Sequence, residues 1–190
     1  MKKLFSLFAA VLFSALSFAQ ITLTSDPAHS RIQFSVIHLG INDITGNFDK
    51  STLTINADEK NFVNSQVNFT VDVNSINTHI DARDKHLKNA DFFDAEQFPT
   101  MTFTSTSLKK TRNNYYTLKG NLTMHGVTKP VTLNLVYRGS HVNAKNKKTT
   151  HGYQVLGTIK RSDFNVGPNF PEAVISDLVR IKGDFEMAAQ

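Results

Sequence analysis

From Ile21 onward, apolar side chains recur at every second position, which restricts most of the chain to β-strands with one dry face and one wet face. Residues 66–73 carry the pattern most cleanly: Val67, Phe69, Val71 and Val73 alternate with Gln66, Asn68, Thr70 and Asp72. Ile32, Phe34, Val36 and His38 form another row opposite Arg31, Gln33, Ser35 and Ile37. The rhythm continues through Met101 and Phe103, through Tyr116, Leu118, Leu122 and Met124, and through Val131, Leu133, Leu135 and Tyr137. Two rows close the chain: Tyr153, Val155 and Ile159, then Val179, Ile181, Phe185 and Met187. With residues 44–56 and 21–24 added, about eight or nine strands are predicted. Residues 78–93 alone break the period and predict one short helix, with Thr78 as N-cap and Asp81 and Asp84 in its first turn.

So many one-sided strands must close on themselves or pack as two sheets. Closure is the expected solution, an all-β antiparallel barrel of about eight strands in one domain. Gly46, Gly120 and Gly157 fall within the strands, where they leave room along the wall or let it bend. Eleven of the fifteen Phe lie beyond residue 19, and Phe34, Phe48, Phe69 and Phe103 fall on inward rows. An eight-stranded barrel can fill its interior with such rings or enclose one small ligand; periodicity alone permits both.

At the N-terminus, Lys2 and Lys3 precede an apolar run from Leu4 to Leu16 and small residues near Ala19, the layout of a secretory signal peptide. Cleavage after Ala19 is expected, leaving residues 20–190 as the mature domain in the periplasm or outside the cell. The apolar run is shorter than the roughly 20 residues of a spanning helix, so no stable membrane anchor is expected. The chain has no cysteine, which excludes a disulfide scaffold and a thiol enzyme. Its formal charge of +5 includes Lys2 and Lys3, and the densest basic group is Lys145, Lys147 and Lys148 in a polar stretch that reads as a hairpin loop. No basic stripe with interleaved aromatics points to nucleic acid.

Chemistry-bearing motifs are sparse. No G-x-S-x-G elbow, Walker loop or GxGxxG occurs, so no catalytic residue is assigned. His79, His86 and His125 lack any HxH or HExxH pairing, and no metal is assigned. His38 ends an inward row, where it either meets a polar group at a barrel mouth or is hydrogen-bonded inside the wall. Arg83 suits a phosphate through its two-pronged guanidinium, but the favoured reading is that it pairs with Asp84 or another carboxylate to pin the helix on the barrel. His125 and Gly126 mark a turn, with Gly126 at positive φ.

Three stretches then carry a family resemblance: FSVIHLGINDITGNF at 34–48, SINTHIDARDKHLKNADFFDAEQFPTMTFTS at 75–105, and GNLTMHGVTKPVTL at 120–133, followed by KRSDFNV at 160–166. Together they resemble the YceI family of small exported lipid-binding proteins, in family order and over nearly the whole mature chain. One departure is Asn165, where many relatives place Gly. The resemblance implies an extended lipocalin-like barrel with a helix near one end, enclosing a long tunnel for a polyisoprenoid or quinone-like lipid, and no enzymatic activity. On that basis Phe34, Val36, Phe48, Phe69, Val71, Phe103, Leu118, Leu122, Leu133 and Val155 are the expected tunnel lining, with His38, Arg83 and His86 at a head-group end. No cofactor is expected beyond the bound apolar lipid, and a homodimer is compatible with the sequence. The rival expectations are a packed interaction module with no cavity and an enzyme acting on isoprenoid lipids.

Overall fold

A computed structural model describes residues 20–58 and 61–189. The expected signal peptide and its cleavage site lie outside the described residues. Eleven strands are present among those described: β1 (Gln20–Ser25), β2 (Arg31–His38), β3 (Asn42–Phe48), β4 (Ser51–Asp58), β5 (Gln66–Asp72), β6 (Ile76–Asn77), β7 (Thr100–Arg112), β8 (Tyr115–Met124), β9 (Val127–Val142), β10 (Thr149–Lys160) and β11 (Leu178–Ala189). One helix, α1 (Asp81–Lys88), joins β6 to the segment before β7.

The eleven strands form eight antiparallel lines, because three lines are broken once each. β1 and β2 lie end to end along β11, through Ser25 opposite Met187 and Ser35 opposite Arg180. β3 and β4 form the next line, since β2 pairs with β3 and β1 with β4. β5 and β6 form the third, against β4 and β3 respectively. The remaining five follow as a meander, and the pairing of β1 and β2 with β11 closes the ring.

Local chemistry explains two features of the wall. Pro27 has no N–H to give the ladder, and Asp26 accepts the Ala28 N–H at 2.8 Å in a tight turn, so the first line is interrupted there. The β8–β9 hairpin turns on His125 and Gly126 at φ of 49° and 72°, both left-handed, the geometry that follows the twist of the strands. The basic cluster at Lys145, Lys147 and Lys148 is an exposed loop between β9 and β10, as the sequence suggests.

The helix is shorter than predicted, and Thr78 is not its N-cap. Ile80 holds that position without a side-chain cap, and Asp84 instead reaches back to accept both the N–H and the hydroxyl of Thr78, at 2.8 and 2.5 Å. The helix stops at Lys88 because Asn89 turns extended and its side-chain oxygen accepts the Asp91 N–H, a local bond that competes with the helical ladder. Residues 89–98 are turns, tied to the helix end by Phe93 N–H to Leu87 O at 3.0 Å and Ala95 N–H to Lys88 O at 2.8 Å.

Inside, two packed groups lie at different heights. One, around Leu53, Ile55, Leu118, Leu135 and Met187, fills the end of the barrel built by β1 and β4. The other, around Val73, Phe92, Phe164 and Val166, packs the loops near α1. The room beside the wall glycines is occupied: the Phe34 ring lies over Gly46, Phe103 over Gly120 and the Leu133 side chain over Gly157. These glycines let bulky neighbours lie flat along the wall.

The loop from β10 to β11 hangs on one buried side chain. Arg161, 7% exposed, donates to the carbonyls of Ser176, Val166, Gly167, Phe170 and Ile175 at 2.6–3.3 Å. Asn165, in the same loop, adopts a left-handed φ of 56°, which asparagine tolerates better than most side chains.

Two stability outcomes follow. Arg161→Met strands several buried carbonyls and is expected to cost about 2–4 kcal/mol in urea unfolding, with the loss localised by hydrogen exchange to residues 162–177. Gly120→Ala puts a methyl 2.5 Å from the Thr104 backbone oxygen as well as against the Phe103 ring, and the same measurement is expected to show about 1–3 kcal/mol of destabilisation; an unchanged midpoint would mean the wall yields there freely.

Candidate ligand-binding cavity

Alternation points every second side chain of eight lines inward, yet beyond the packed β1–β4 end many of those side chains do not meet across the centre. Ile32, Phe34, Val36, Leu122, Val131, Val155, Ile159, Val179 and Ile181 all face inward but keep accessible surface, as side chains around a void do. They enclose a cavity of about 450 Å³. That is within the range of small-molecule sites and far above the ~10–15 Å³ that one water needs. The interior is therefore hollow, which the alternation left open.

The cavity is blind at one end. Leu53, Val67, Phe103, Leu118, Leu133 and Phe185 form its floor, and beyond them Ile55, Leu135 and Met187 are fully buried without touching it. Tyr153 lies in the same packed end, its hydroxyl pushed well above the ordinary tyrosine range by burial, with Tyr137 and Tyr116 adding to the shift. At the other end the wall rises into the β2–β3 turn, α1 and the β10–β11 loop, which contribute His38, Leu87, Phe170, Val174 and Ile175.

Two of these mouth segments, the β2–β3 turn and the β10–β11 loop, are hydrogen-bonded to each other, and α1 meets the loop through the His86 and Phe170 rings. Leu39 N–H donates to Val174 O at 3.0 Å, Ser176 N–H to Ile37 O at 2.9 Å, and His38 bridges to Ile175. The base of the loop is fixed by Asp177, which accepts from the Ser162 N–H and hydroxyl, each at 2.9 Å. Burial opposes its charge, but those hydrogen bonds, with Arg161 and Lys160 nearby, outweigh it and hold the carboxyl below the usual aspartate value.

Among the described residues seven on the lining are polar, and none is a carboxylate: Gln33, His38, Thr78, Arg83, His86, Thr102 and Arg161. Five of them belong to the mouth. Arg161 spends its five N–H groups on backbone carbonyls, as described above. Arg83 spends only two, from Nε to Thr78 Oγ1 at 2.7 Å and from Nη2 to Thr78 O at 2.9 Å, and forms no ion pair among the described residues. Arg83 thus pins the helix start through Thr78 rather than through a carboxylate, and keeps three N–H groups uncommitted. His86 Nε2 meets Asp91 Oδ2 at 3.0 Å, and its ring packs edge-on against Phe92 and Phe170. The His38 ring has no hydrogen-bond partner among the described residues, so it is not tied into the wall.

All thirteen residues expected at the site lie against this one cavity: Phe34, Val36, His38, Phe48, Phe69, Val71, Arg83, His86, Phe103, Leu118, Leu122, Leu133 and Val155. Sequence reasoning missed Thr78, Arg161, Phe92, Phe93, Phe170, Val174 and Ile175, all on turns or loops. Periodicity does not reach them, although Phe92 and Phe170 are large rings in polar surroundings. Gln33, placed outward by alternation, also touches the cavity. The histidines have separate surroundings: His125 Nδ1 lies 3.2 Å from Phe164 O and its ring packs on Phe98, while His86 is held by Asp91. Among the described residues, no group of three or more metal-ligating side chains forms and no helix is long and apolar enough to cross a membrane.

Comparison with known proteins agrees with this architecture. The curated "Protein YceI" of Salmonella agona (strain SL483) is 38% identical over 161 residues, covering 84% of this chain and 83% of the relative. The crystal structure of the Campylobacter jejuni YceI protein superposes with a TM-score of 0.73 at 31% identity, covering 81% of this chain and 90% of that one. A third structure, described as a polyisoprenoid binding domain from Saccharophagus degradans, shares the fold with a TM-score of 0.69 at 18% identity over 90% of this chain and all of that one. The YceI-like domain matches residues 23–187, which reach from β1 to β11 and include every mouth segment, and the chain belongs to that family.

Proposed function

We propose that the mature chain binds one long apolar lipid, of polyisoprenoid or quinone-like type, as a non-catalytic carrier or reservoir in the periplasm or outside the cell. The observation that carries this reading is the blind, carboxylate-free apolar cavity inside a closed wall. Each buried methylene contributes about 0.8 kcal/mol, so a chain of ten gives roughly 8 kcal/mol before the costs of ordering it. Binding energy then scales with tail length until the floor stops it. The description of the Saccharophagus degradans neighbour supports a chain-like isoprenoid as the class of tail.

The mouth sets the orientation. A tail enters first and leaves its head among His38, Arg83 and His86, where the uncommitted Arg83 N–H groups can donate to phosphate or carbonyl oxygen. Turnover has little to work with there. Among the described residues the only hydroxyls on the lining are those of Thr78, engaged with Asp84 and Arg83, and Thr102 on the barrel wall, and no lining carboxylate is available as a base. A packed module without a cavity does not describe this interior.

Native mass spectrometry of the protein purified from its own periplasm, with organic extraction of anything released, tests the reading directly. A stoichiometric apolar lipid is expected; a clean unliganded mass that persists after incubation with polyprenyl lipids and quinones overturns it. Arg83→Met is expected to weaken binding of a prenyl phosphate roughly tenfold or more while changing binding of the matching prenol little, since only the phosphate uses the guanidinium fork. Equal losses for both, read by titration calorimetry, would assign Arg83 to holding the helix alone.

A further inference from the structure

Seven large hydrophobic side chains are strongly exposed among the described residues, and five of them gather at the mouth: Ile37, Leu39, Ile41, Ile80 and Leu178. We propose that this rim is a membrane-docking surface, through which the cavity exchanges its lipid with a phospholipid bilayer. The proposal rests on the carrier reading for its cargo, but the surface itself stands on separate observations.

The first is placement on adjacent strands. The outward face of β2 is polar through Arg31 and Ser35 and turns apolar at Ile37; the outward face of β11 is polar through Lys182 and Arg180 and turns apolar at Leu178. Arg180 pairs with Ser35 in register, so continuing the ladder two residues sets Leu178 beside Ile37. On these two adjacent strands the change from polar to apolar therefore falls at one height, flanked at that height by Asp43 on β3 and Lys160 on β10.

The second is the tip of the β2–β3 hairpin. Leu39, Gly40 and Ile41 form its loop, with Leu39 at a φ of 52°, a conformation that favours glycine or asparagine. Leu39 is 54% and Ile41 85% exposed, so neither backbone preference nor packing accounts for two branched aliphatics there. A protruding aliphatic tip suits a deformable apolar phase, whereas a folded protein partner would need a matching hollow.

The third is charge. Lys160, opposite Leu178 in register, and Lys85 on α1 are exposed and form no ion pair among the described residues. Arg180, paired with Asp43, stands one step behind the apolar band. Cations level with or just behind an apolar edge lie where lipid phosphates lie when that edge is immersed. The same rim continues inward to Val36, Ile44 and Val174 on the cavity wall, so a tail passing from bilayer to cavity stays on apolar surface.

The test uses the mature chain and the variant Leu39→Ser/Ile41→Ser, whose changes lie on an exposed loop, with three readouts. Flotation of unliganded protein with phosphatidylcholine–phosphatidylglycerol vesicles reads docking. Loading with a prenol from detergent solution reads the cavity. The rate of prenol uptake from vesicles reads exchange. The wild type is expected to float, and the variant to lose at least tenfold in both vesicle partitioning and uptake rate while loading from detergent is unchanged. A wild type that stays off vesicles, or a variant that floats and takes up prenol equally well, overturns the docking surface and leaves the carrier reading standing. Dimers in sedimentation that the variant dissolves, without vesicle binding, would assign the rim to a second copy and overturn it too. Flotation without loading from detergent overturns the carrier reading, and the exchange role with it.

Discussion

The cavity exists because the first and last lines of the sheet hydrogen-bond to each other. β11 is shared between β1 near its C-terminal end and β2 near its N-terminal end, so one strand closes both heights of the ring. A closed wall satisfies its backbone groups without any help from the interior. That independence lets the centre stay empty. An open two-sheet sandwich is held together by the side chains between its layers, and a void of about 450 Å³ would remove them.

Hollowness has a cost in lost dispersion contacts, and the molecule places its packing where the cavity is not. The β1–β4 end is filled with side chains of nearly zero exposure, such as Ile55, Leu135 and Met187. Aromatic stacking of Phe62 on Tyr153, with ring centroids 5.9 Å apart, seals that end further. At the mouth, aromatic packing of Phe92 on Phe170 at 4.6 Å and the five bonds of Arg161 hold the loops. Between these two ends the wall carries rings laid flat over glycines, which thickens it without filling the centre.

The wall was legible in the sequence because a period of two is a local signal: each row names its own inward residues, and the ten expected lining positions on strands all face the cavity. Whether those rows met or stood apart was not legible, since Phe69 looks the same against a ring as against a void. Breaks within lines were also hidden. Residues 44–56 read as one strand, but Asp49 and Lys50 interrupt it. The mouth was read least well. Thr78 has the composition of a helix cap, and only the tertiary position of Asp84 and Arg83 shows that it is a junction between the helix and the cavity-lining arginine. Arg161 sits in a motif that marks the family but gives no hint that its charge faces carbonyls instead of a carboxylate.

The two arginines of the mouth show why residue type alone could not assign roles. Both guanidiniums border an apolar cavity, and neither forms an ion pair among the described residues. Arg161 is neutralised by the dipoles of a loop that folds around it, so its donors are exhausted and its charge serves the chain. Arg83 has one anchoring residue, Thr78, and the rest of its fork is unspent at the boundary between cavity and solvent. A half-buried cation that is only partly satisfied favours whatever brings acceptors to it, and under the proposed carrier reading a lipid whose tail fills the blind cavity would deliver its head to that place. Under that reading depth and head-group recognition are linked: the floor would set how far a tail can go, and the same distance would decide whether its head reaches Arg83. Selection for tail length and for head chemistry would then be one geometric condition, set by the height of the wall between Leu118 and Thr78.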